Sequence, residues 1–323
     1  MFVLGLQGSP RKKGNTAYLL EAFLQEAKKY GARTHTLDIC RKNIVPCKEL
    51  VVCEKKGFCP IEDDMATEIY PLLRRADVVV AASPIFFYNV TAQLKALIDR
   101  SQALWARKYR LKLKDPGSPM RQGFLLAVGA TRGKQLFDGV HLTAKYFFDA
   151  LAAGYHGSLT YPGIEHTGDM ARHPRAVEDI QNAVRDLMAP FTGRPRVLFL
   201  GRKGHCRTQM AAAFARFHGS DVIDVRCAGV SPVESMNNRC DTAMAEKGMD
   251  LKFCRPYSVA EALPEGTPDL VVTLDPAATA MEMADSPCKT WELPDTTGDD
   301  FDALRAVRDD IEQRVLNLIA EYR

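Results

Sequence analysis

No run of apolar residues approaches the roughly 18 that a membrane-spanning helix needs. The most apolar stretch, Val78 to Tyr88, is broken by Ser83 and Pro84, so no membrane partner is expected. There is no charged leader and no small-residue cleavage site before the first strand-like segment, from which a cytoplasmic location is expected. Charge of one sign is also missing: 43 Lys and Arg stand against 40 Asp and Glu, with no dense basic stripe, which argues against a nucleic-acid partner. At 46% hydrophobic and 26% charged residues the composition leaves no room for a disordered, collagen-like or coiled-coil chain. Nine cysteines, an odd number without a secretion signal, do not make a disulfide framework; they read as free thiols, metal ligands or redox groups.

What is present is enough chain for two domains: 323 residues at about 150 per domain. The charge is divided between them, with 27 basic and 19 acidic residues in 1–190 and 16 against 21 in the remainder. The first half therefore suits an anionic cofactor, or carries a solvated basic surface. Short β-branched runs alternate with longer amphipathic segments, the pattern of βα units around a parallel sheet. Strands are expected at Phe2 to Leu6, Thr34 to Asp38, Val78 to Ala82 and Phe124 to Val128. The spacing predicts a first helix from Thr16 to Tyr30, with Leu20, Phe23, Leu24 and Ala27 on one face and Gly31 as its stop. Around Met188 to Pro195 two prolines flank a glycine, which reads as a linker of 188–195 between domains 1–187 and 196–323. Beyond it, strands are expected at Val197 to Leu200, Val222 to Cys227 and Leu270 to Leu274. A helical run from Gln209 to His218 and a terminal amphipathic helix from Phe301 to Tyr322 complete the second domain.

Between the first strand and helix lies Gly8-Ser-Pro-Arg-Lys-Lys-Gly-Asn-Thr16. A loop entering a helix N-terminus presents unpaired N–H groups and the positive end of the helix dipole, a natural phosphate cradle. Ser9, Asn15 and Thr16 add donors, Arg11 adds charge and Gly14 lets the backbone turn closely; the bland alternative is that Asn15 or Thr16 simply caps the helix. A second loop follows the strand at Val78, Ser83-Pro-Ile-Phe-Phe-Tyr-Asn89, continuing as Val-Thr-Ala-Gln-Leu-Lys-Ala-Leu-Ile-Asp-Arg100. With the intervening Cys59-Pro-Ile-Glu-Asp-Asp-Met65, these motifs resemble the NADPH-dependent FMN reductases of the flavodoxin-like fold, in the branch close to the iron-sulfur flavoproteins, over about residues 1–185. The resemblance implies that Ser9, Arg11, Gly14, Asn15 and Thr16 hold the FMN phosphate. It implies that Pro84, Ile85, Phe86, Phe87, Tyr88 and Asn89 line the isoalloxazine ring. A third loop, Gly129-Ala-Thr-Arg-Gly-Lys134, is expected over the flavin's other edge through Gly129, Thr131 and Arg132; alternatively Arg132 and Lys134 meet the phosphates of NAD(P)H or are solvated.

Cys47, Cys53 and Cys59 are separated by five residues each time. The iron-sulfur relatives carry another cysteine where Leu50 stands here, and a cubane cluster ordinarily needs four thiolates. Cys40 lies seven residues upstream with nothing in its spacing to recommend it, and no histidine is near to complete a zinc site. No metal site is therefore assigned; the three cysteines are packing residues, weak candidates for a cluster, or a redox thiol pair.

After the linker, Val197-Leu-Phe-Leu-Gly-Arg-Lys-Gly-His-Cys-Arg-Thr208 resembles the opening of the low-molecular-weight protein tyrosine phosphatases and the arsenate reductases that share their fold. The likeness continues through Cys227-Ala-Gly229, Asp269-Leu-Val-Val-Thr-Leu274 and Leu293-Pro-Asp295, covering about 195–323. It places Arg207 and Thr208 at the closing positions of an oxyanion loop, Cys206 at a second cysteine before the arginine, and Asp295 at the general acid. Gly201 occupies the position of the nucleophile, and Asp275 that of the cysteine used by arsenate-reducing members. A phosphocysteine needs a thiolate that Gly201 does not supply, whereas oxyanion binding by Arg207 and the loop amides does not depend on it. Cys206 is either inherited scaffold or a displaced redox or metalloid-binding thiol.

The fold expected is thus α/β, two doubly wound parallel-sheet domains, flavodoxin-like followed by low-molecular-weight phosphatase-like. The function expected is an FMN-dependent NAD(P)H oxidoreductase serving a small acceptor such as a quinone, flavin, metal or thiol. The second domain would bind an oxyanion or regulate, and the resemblance implies a homo-oligomer. Two other readings stand beside it: a flavin-coupled arsenate or disulfide reductase using Cys206, and a non-catalytic flavin redox sensor.

Overall fold

The computed structural model describes residues 1–264, 266–275, 286–294 and 300–323. It divides into two units: Met1–Lys112 with Met120–Thr192, and Gly193–Arg323 with the short segment Leu113–Pro119.

The first unit is built on five parallel strands, β1 (Phe2–Gln7), β2 (Arg33–Asp38), β3 (Val78–Pro84), β4 (Gln122–Gly129) and β5 (Gly154–Pro162), in the spatial order β2-β1-β3-β4-β5. Its helices are α1 (Asn15–Lys28), α2 (Val52–Lys56), α3 (Tyr70–Arg75), α4 (Ala92–Arg100), α5 (Gln102–Tyr109), α6 (Asp138–Ala150) and α7 (Ala176–Met188). The three central strands are buried almost throughout and rich in Val, Leu and Ala, as a sheet covered on both faces requires. α1 turns Leu19, Leu20, Phe23, Leu24 and Ala27 onto that sheet, and Phe23 meets Phe124 with ring centroids 5.2 Å apart. The chain reverses its direction of travel across the sheet between β1 and β3. In open parallel sheets that switch point, at the carboxyl ends of the strands, is where ligands bind.

One buried ion pair organises the excursion between β2 and β3. Arg100 and Asp63 have side chains only 1% and 0% exposed, with Nη1 to Oδ2 at 2.6 Å and Nη2 to Oδ1 at 3.1 Å. The same guanidinium donates to the carbonyl oxygens of Val45 at 2.7 Å and Ile61 at 3.4 Å, while Asp63 accepts from the Val45 and Met65 amides. The two ends of the segment that carries Cys47, Cys53 and Cys59 are therefore pinned to one point at the end of α4.

The second unit has four parallel strands, β6 (Arg196–Gly201), β7 (Asp224–Gly229), β8 (Leu270–Thr273) and β9 (Cys288–Thr290), ordered β7-β6-β8-β9. Its helices are α8 (Arg207–Gly219), α9 (Asn238–Glu246), α10 (Val259–Ala262) and α11 (Phe301–Ala320). α8 is buried along most of its length, and the core gathers Phe199, Phe214, Trp291, Ile311 and Val315. At Gly219 a Cβ would stand 2.5 Å from Ile319 Cγ1, so the glycine lets α8 and α11 approach closely. Asp300 caps α11, accepting from the amides of Asp302 and Ala303. The segment Leu113–Pro119 joins this unit through Lys114, whose N–H donates to Gly248 O and whose carbonyl accepts from Asp250 N–H.

Both domains are parallel α/β sheets, as the sequence indicates, and three details differ. The stretch read as a linker begins inside the first domain, because Ala189–Phe191 forms a 3-10 turn and Phe191 is buried in that domain's core. Leu113–Pro119, read as part of the first domain, belongs to the second unit. The strands β5 and β9 have no counterpart in the sequence reading; β5 is a half-exposed edge strand, bent by Gly157 at φ +119° and a register shift opposite Gly123 and Leu125. Among the described residues no helix is long and apolar enough to cross a membrane.

Removing one partner of a buried pair leaves the other charge uncompensated, so Asp63→Ala is expected to destabilise the first domain by about 3 to 5 kcal/mol. The two tryptophans fall one in each unit, so urea unfolding followed by Trp105 fluorescence in a Trp291→Phe background isolates the effect. Replacing both partners with apolar residues, Asp63→Leu with Arg100→Met, should recover much of the loss.

Candidate functional sites at two strand crests

The first crest follows β1. Gly8 donates its N–H to Ala82 O at 2.8 Å, and its own carbonyl accepts from Thr91 Oγ1 at 2.6 Å and from the Cys40 thiol at 3.5 Å. Burial, with the charge of Asp38 nearby, pushes the Cys40 thiol up, which keeps it a donor. Ser9 is buried: its N–H donates to Gln7 Oε1 at 2.6 Å and its hydroxyl accepts from Arg11 N–H at 3.2 Å. The N-cap of α1 is Gly14, without a side-chain cap, so the opening amides of the helix are not closed off by Asn15 or Thr16. Thr16 is buried beneath this turn and Arg11 is exposed beside it.

Asn15 faces another segment. Its Nδ2 donates to His166 O at 2.9 Å, and its Oδ1 accepts from the amides of Gly168 at 3.2 Å and Met170 at 3.1 Å. Its side chain thus fastens the loop after β5 to the start of α1, and its part at this crest is chiefly to position that loop. The sequence reading missed this loop along with β5.

The second crest is a tight reversal. Phe86 and Asn89 exchange backbone hydrogen bonds at 2.9 and 3.0 Å around Phe87 and Tyr88, whose φ angles are +48° and +62°. Two successive positive φ values are the signature of a type I′ turn, ordinarily made by Asn and Gly. Holding two aromatic residues there stores strain of the kind concentrated at ligand sites. Phe87 is fully exposed and Phe86 and Tyr88 half so. Ile85 N–H donates to Val128 O at 2.9 Å, and Asn89 Oδ1 accepts from Val90 N–H at 2.8 Å. Pro84 ends β3 just below.

The third loop closes against the second. A Cβ on Gly133 would lie 2.9 Å from the Tyr88 hydroxyl, and one on Gly139 would lie 2.5 Å from Tyr88 O. Gly129 O accepts from Ile164 N–H, Thr131 O from Gly163 N–H, and the guanidinium of Arg132 lies across Gly163. A hollow of about 310 Å³ opens here, lined by Arg132, Gln135, Phe137, Asp138 and His141 among others. His141 Nδ1 is 2.8 Å from the Tyr155 hydroxyl. The structure therefore brings Ser9, Arg11, Gly14 and Thr16 together at one loop, and Pro84 to Asn89 with Gly129, Thr131 and Arg132 at its neighbours.

The cysteine segment does not fit a cubane cluster. Leu50 stands half-exposed where a fourth thiolate is needed, and Cys40 is spent on Gly8. Burial raises Cys53, and Cys59 and then Cys47 lie near enough to raise it further. Among the described residues no group of three or more His, Cys, Asp or Glu is arranged to hold a metal ion.

The second domain repeats the strand, loop and helix layout. In its loop every carbonyl from Gly201 to Cys206 is engaged: Gly201 by Val230 N–H, Arg202 by Ser231, Lys203 by Val233, Gly204 by Gln209 Nε2, His205 by Asn237 and Cys206 by Met210. Because the C=O and N–H of a trans peptide point opposite ways, this turns the amides of the loop to the other side, the polarity of an anion-binding nest. Gly204, at φ +66°, is needed where the loop crosses the backbone of Gly229: a Cβ there would lie 2.8 Å from Gly229 N. Arg207 Nη1 reaches toward Leu293 O at 3.4 Å and Pro294 O at 3.3 Å. Asp295 lies outside the described residues. Thr208 is buried with its methyl 3.1 Å from where a Cβ on Gly201 would stand. Burial and the charges of Lys203 and Arg207 hold His205 below its usual range. Asp275, at the position of the reducing cysteine, pairs with Arg202 at 3.4 Å.

A parallel sheet of order 2-1-3-4-5 with an uncapped first helix defines a flavodoxin-like domain, and the second loop a phosphatase-like one. Residues 1–155 match the NADPH-dependent FMN reductase family and 196–323 the low molecular weight phosphotyrosine protein phosphatase family. The chain is 36% identical over 179 residues to an iron-sulfur flavoprotein of Methanosarcina thermophila, covering 55% of this chain and 86% of that protein. An iron-sulfur flavoprotein of Methanocaldococcus jannaschii is 36% identical over 132 residues, 41% of this chain and 64% of its own length. Among solved structures, an arsenate reductase from Archaeoglobus fulgidus is 28% identical, covering 38% of this chain and 98% of that one at a TM-score of 0.34. Through its first domain the chain belongs with the iron-sulfur flavoproteins, and its residues 196–323 match the low molecular weight phosphotyrosine protein phosphatase family.

Thr91 both caps α4, accepting from Leu94 N–H, and holds Gly8. Thr91→Val is expected to cost about 1 to 3 kcal/mol, with Thr91→Ser close to the parent, measured by urea unfolding on Trp105 fluorescence.

Proposed function

We propose that the protein is an FMN-dependent NAD(P)H oxidoreductase that delivers electrons to a small acceptor, a quinone, flavin, metal ion or thiol, and that its second domain binds an oxyanion without turning it over. The observation that carries the first part is the pairing of an uncapped helix start at Gly14 with a strained aromatic turn at Phe87 and Tyr88, tied together at Gly8. Such a helix start accepts a phosphate, and the turn presents aromatic faces and backbone groups to a flat ring. The FMN reductase family and its cofactors, FMN and NAD(P)H, support the same reading.

Ser9, Arg11 and Thr16 would hold the FMN phosphate, with Asn15 keeping the loop at 166–170 in place beside them. Pro84 to Asn89 would line the ring, and Gly129, Thr131 and Arg132 its far edge. The hollow at Arg132 and His141 is a natural berth for the nicotinamide cofactor or the acceptor. Bound FMN supplies hydride acceptance and onward electron transfer; the protein supplies orientation and tuning dipoles. Assembly as a homo-oligomer belongs to the same reading, as does a location inside the cell.

For the second domain, Arg207, Thr208 and the loop amides would take a phosphate-like oxyanion, with Cys206 beneath; Asp295, the general acid by resemblance, belongs to the same reading. Gly201 offers no thiolate, so no phosphocysteine forms and phosphatase turnover is absent.

Protein reconstituted with FMN in the absence of oxygen should show flavin bands that bleach on addition of NADPH. Arg11→Ala combined with Asn15→Ala should weaken FMN retention by about tenfold or more. Protein that takes up no FMN, or a double variant with parental FMN affinity, overturns the site. Tight FMN with negligible NAD(P)H turnover selects the sensor reading instead. For the second domain, calorimetry should detect inorganic phosphate binding that Arg207→Ala weakens by about 10- to 100-fold, the loss of a charge-assisted hydrogen bond. The parent should leave p-nitrophenyl phosphate unhydrolysed.

A further inference from the structure

We propose that Cys206 and Cys240 are an oxidisable dithiol at the foot of the 201–207 loop, which a small hydroperoxide closes to a disulfide. Neither thiol is needed for oxyanion binding or for flavin chemistry as described above.

The geometry brings the two together from separate elements. Cys206 is the residue that leads into α8, and Cys240 lies in the first turn of α9. The start of α9 is fixed to the loop, because Asn237 donates its N–H to His205 O at 3.3 Å and caps the helix with its side chain. The Cys240 thiol consequently donates to Cys206 O at 3.7 Å, and the two cysteines lie in one apolar core. Cys254 is near enough to act electrostatically on Cys240.

The roles of the two sulfurs differ. Cys206 is 6% exposed at the start of α8, beside the loop, where a small oxidant can arrive. Cys240 is fully enclosed, and its hydrogen bond to Cys206, followed by burial, raises it well above the usual thiol range. Being the more deeply enclosed of the two, it is the resolving partner. In the first step the Cys206 thiolate attacks a hydroperoxide oxygen: an S–O bond forms, the O–O bond breaks, and the departing oxygen is protonated to water or alcohol. In the second, the Cys240 sulfur attacks Cys206: an S–S bond forms, the S–O bond breaks, and hydroxide leaves with the Cys240 proton as water. The two thiols lose two electrons and two protons, and one hydroperoxide is reduced.

The test uses the full chain, fully reduced and freed of reductant, then treated with hydrogen peroxide and alkylated. Trypsin releases Cys206 in Gly204–Arg207 and Cys240 in Cys240–Lys247, and mass spectrometry without reduction should find these two peptides joined. The link should form unchanged in Cys254→Ser. In Cys240→Ser, dimedone should trap Cys206 as a sulfenic acid that it does not trap in the parent. Free Cys206 and Cys240 after peroxide, a link from Cys206 to Cys254 instead, or no dimedone label on Cys206 in Cys240→Ser overturns the proposal.

Discussion

One carbonyl oxygen, that of Gly8, fixes the first crest. It takes the Thr91 hydroxyl and the Cys40 thiol, while the Gly8 amide is held by Ala82. The residue that follows β1 is thereby joined to the end of β3, to the cap of α4 and to the turn after β2. A Cβ on Gly8 would sit 2.9 Å from Ala82 O and from Leu94 Cδ2, so the joint depends on a glycine. The loop that would meet a phosphate and the loop that would meet a ring are one mechanical unit, and the strain at Phe87 and Tyr88 is held against this anchor.

The two domains use the same device with different fittings. Each ends its first strand in a loop that runs into a helix whose opening amides are its chemical asset. In the first the asset is guarded by Ser9 and Arg11 and flanked by aromatic residues. In the second it is shaped by carbonyls that all find donors, Gly201 O among them, so the loop keeps its form without a side chain at 201. That is why the loss of a nucleophile leaves a well-formed cradle.

Much of this was legible in the sequence because it rests on short-range pattern. The central strand β3 carries an unbroken Val and Ala run, its neighbours are largely apolar, and Leu20, Phe23, Leu24 and Ala27 lie at helical spacing. The loops at Gly8 and Gly201 announce themselves by Gly, Arg and Lys between a strand and a helix. What escaped was set by long-range contact. Gly154 to Pro162 lacks alternation because an edge strand with a bulge has no face that must be uniformly apolar. Asn15 reads as a phosphate donor from its position, and only the fold shows that a loop about 150 residues away claims its amide. Cys240 sits in a helix with no motif around it, and its proximity to Cys206 is a product of tertiary packing.

Gly201 has a consequence for how the second loop would report on its surroundings. A catalytic loop converts what it captures, so its occupancy at any moment reflects a flux. On the proposed reading, a loop with glycine at that position would convert nothing, and its occupancy would settle to an equilibrium with the surrounding anion. The fraction filled then rises from about a tenth to nine tenths over roughly two decades of concentration centred on the dissociation constant. A hydrogen atom in place of a thiomethyl side chain would in that reading make a gauge of what is otherwise a consumer of its ligand.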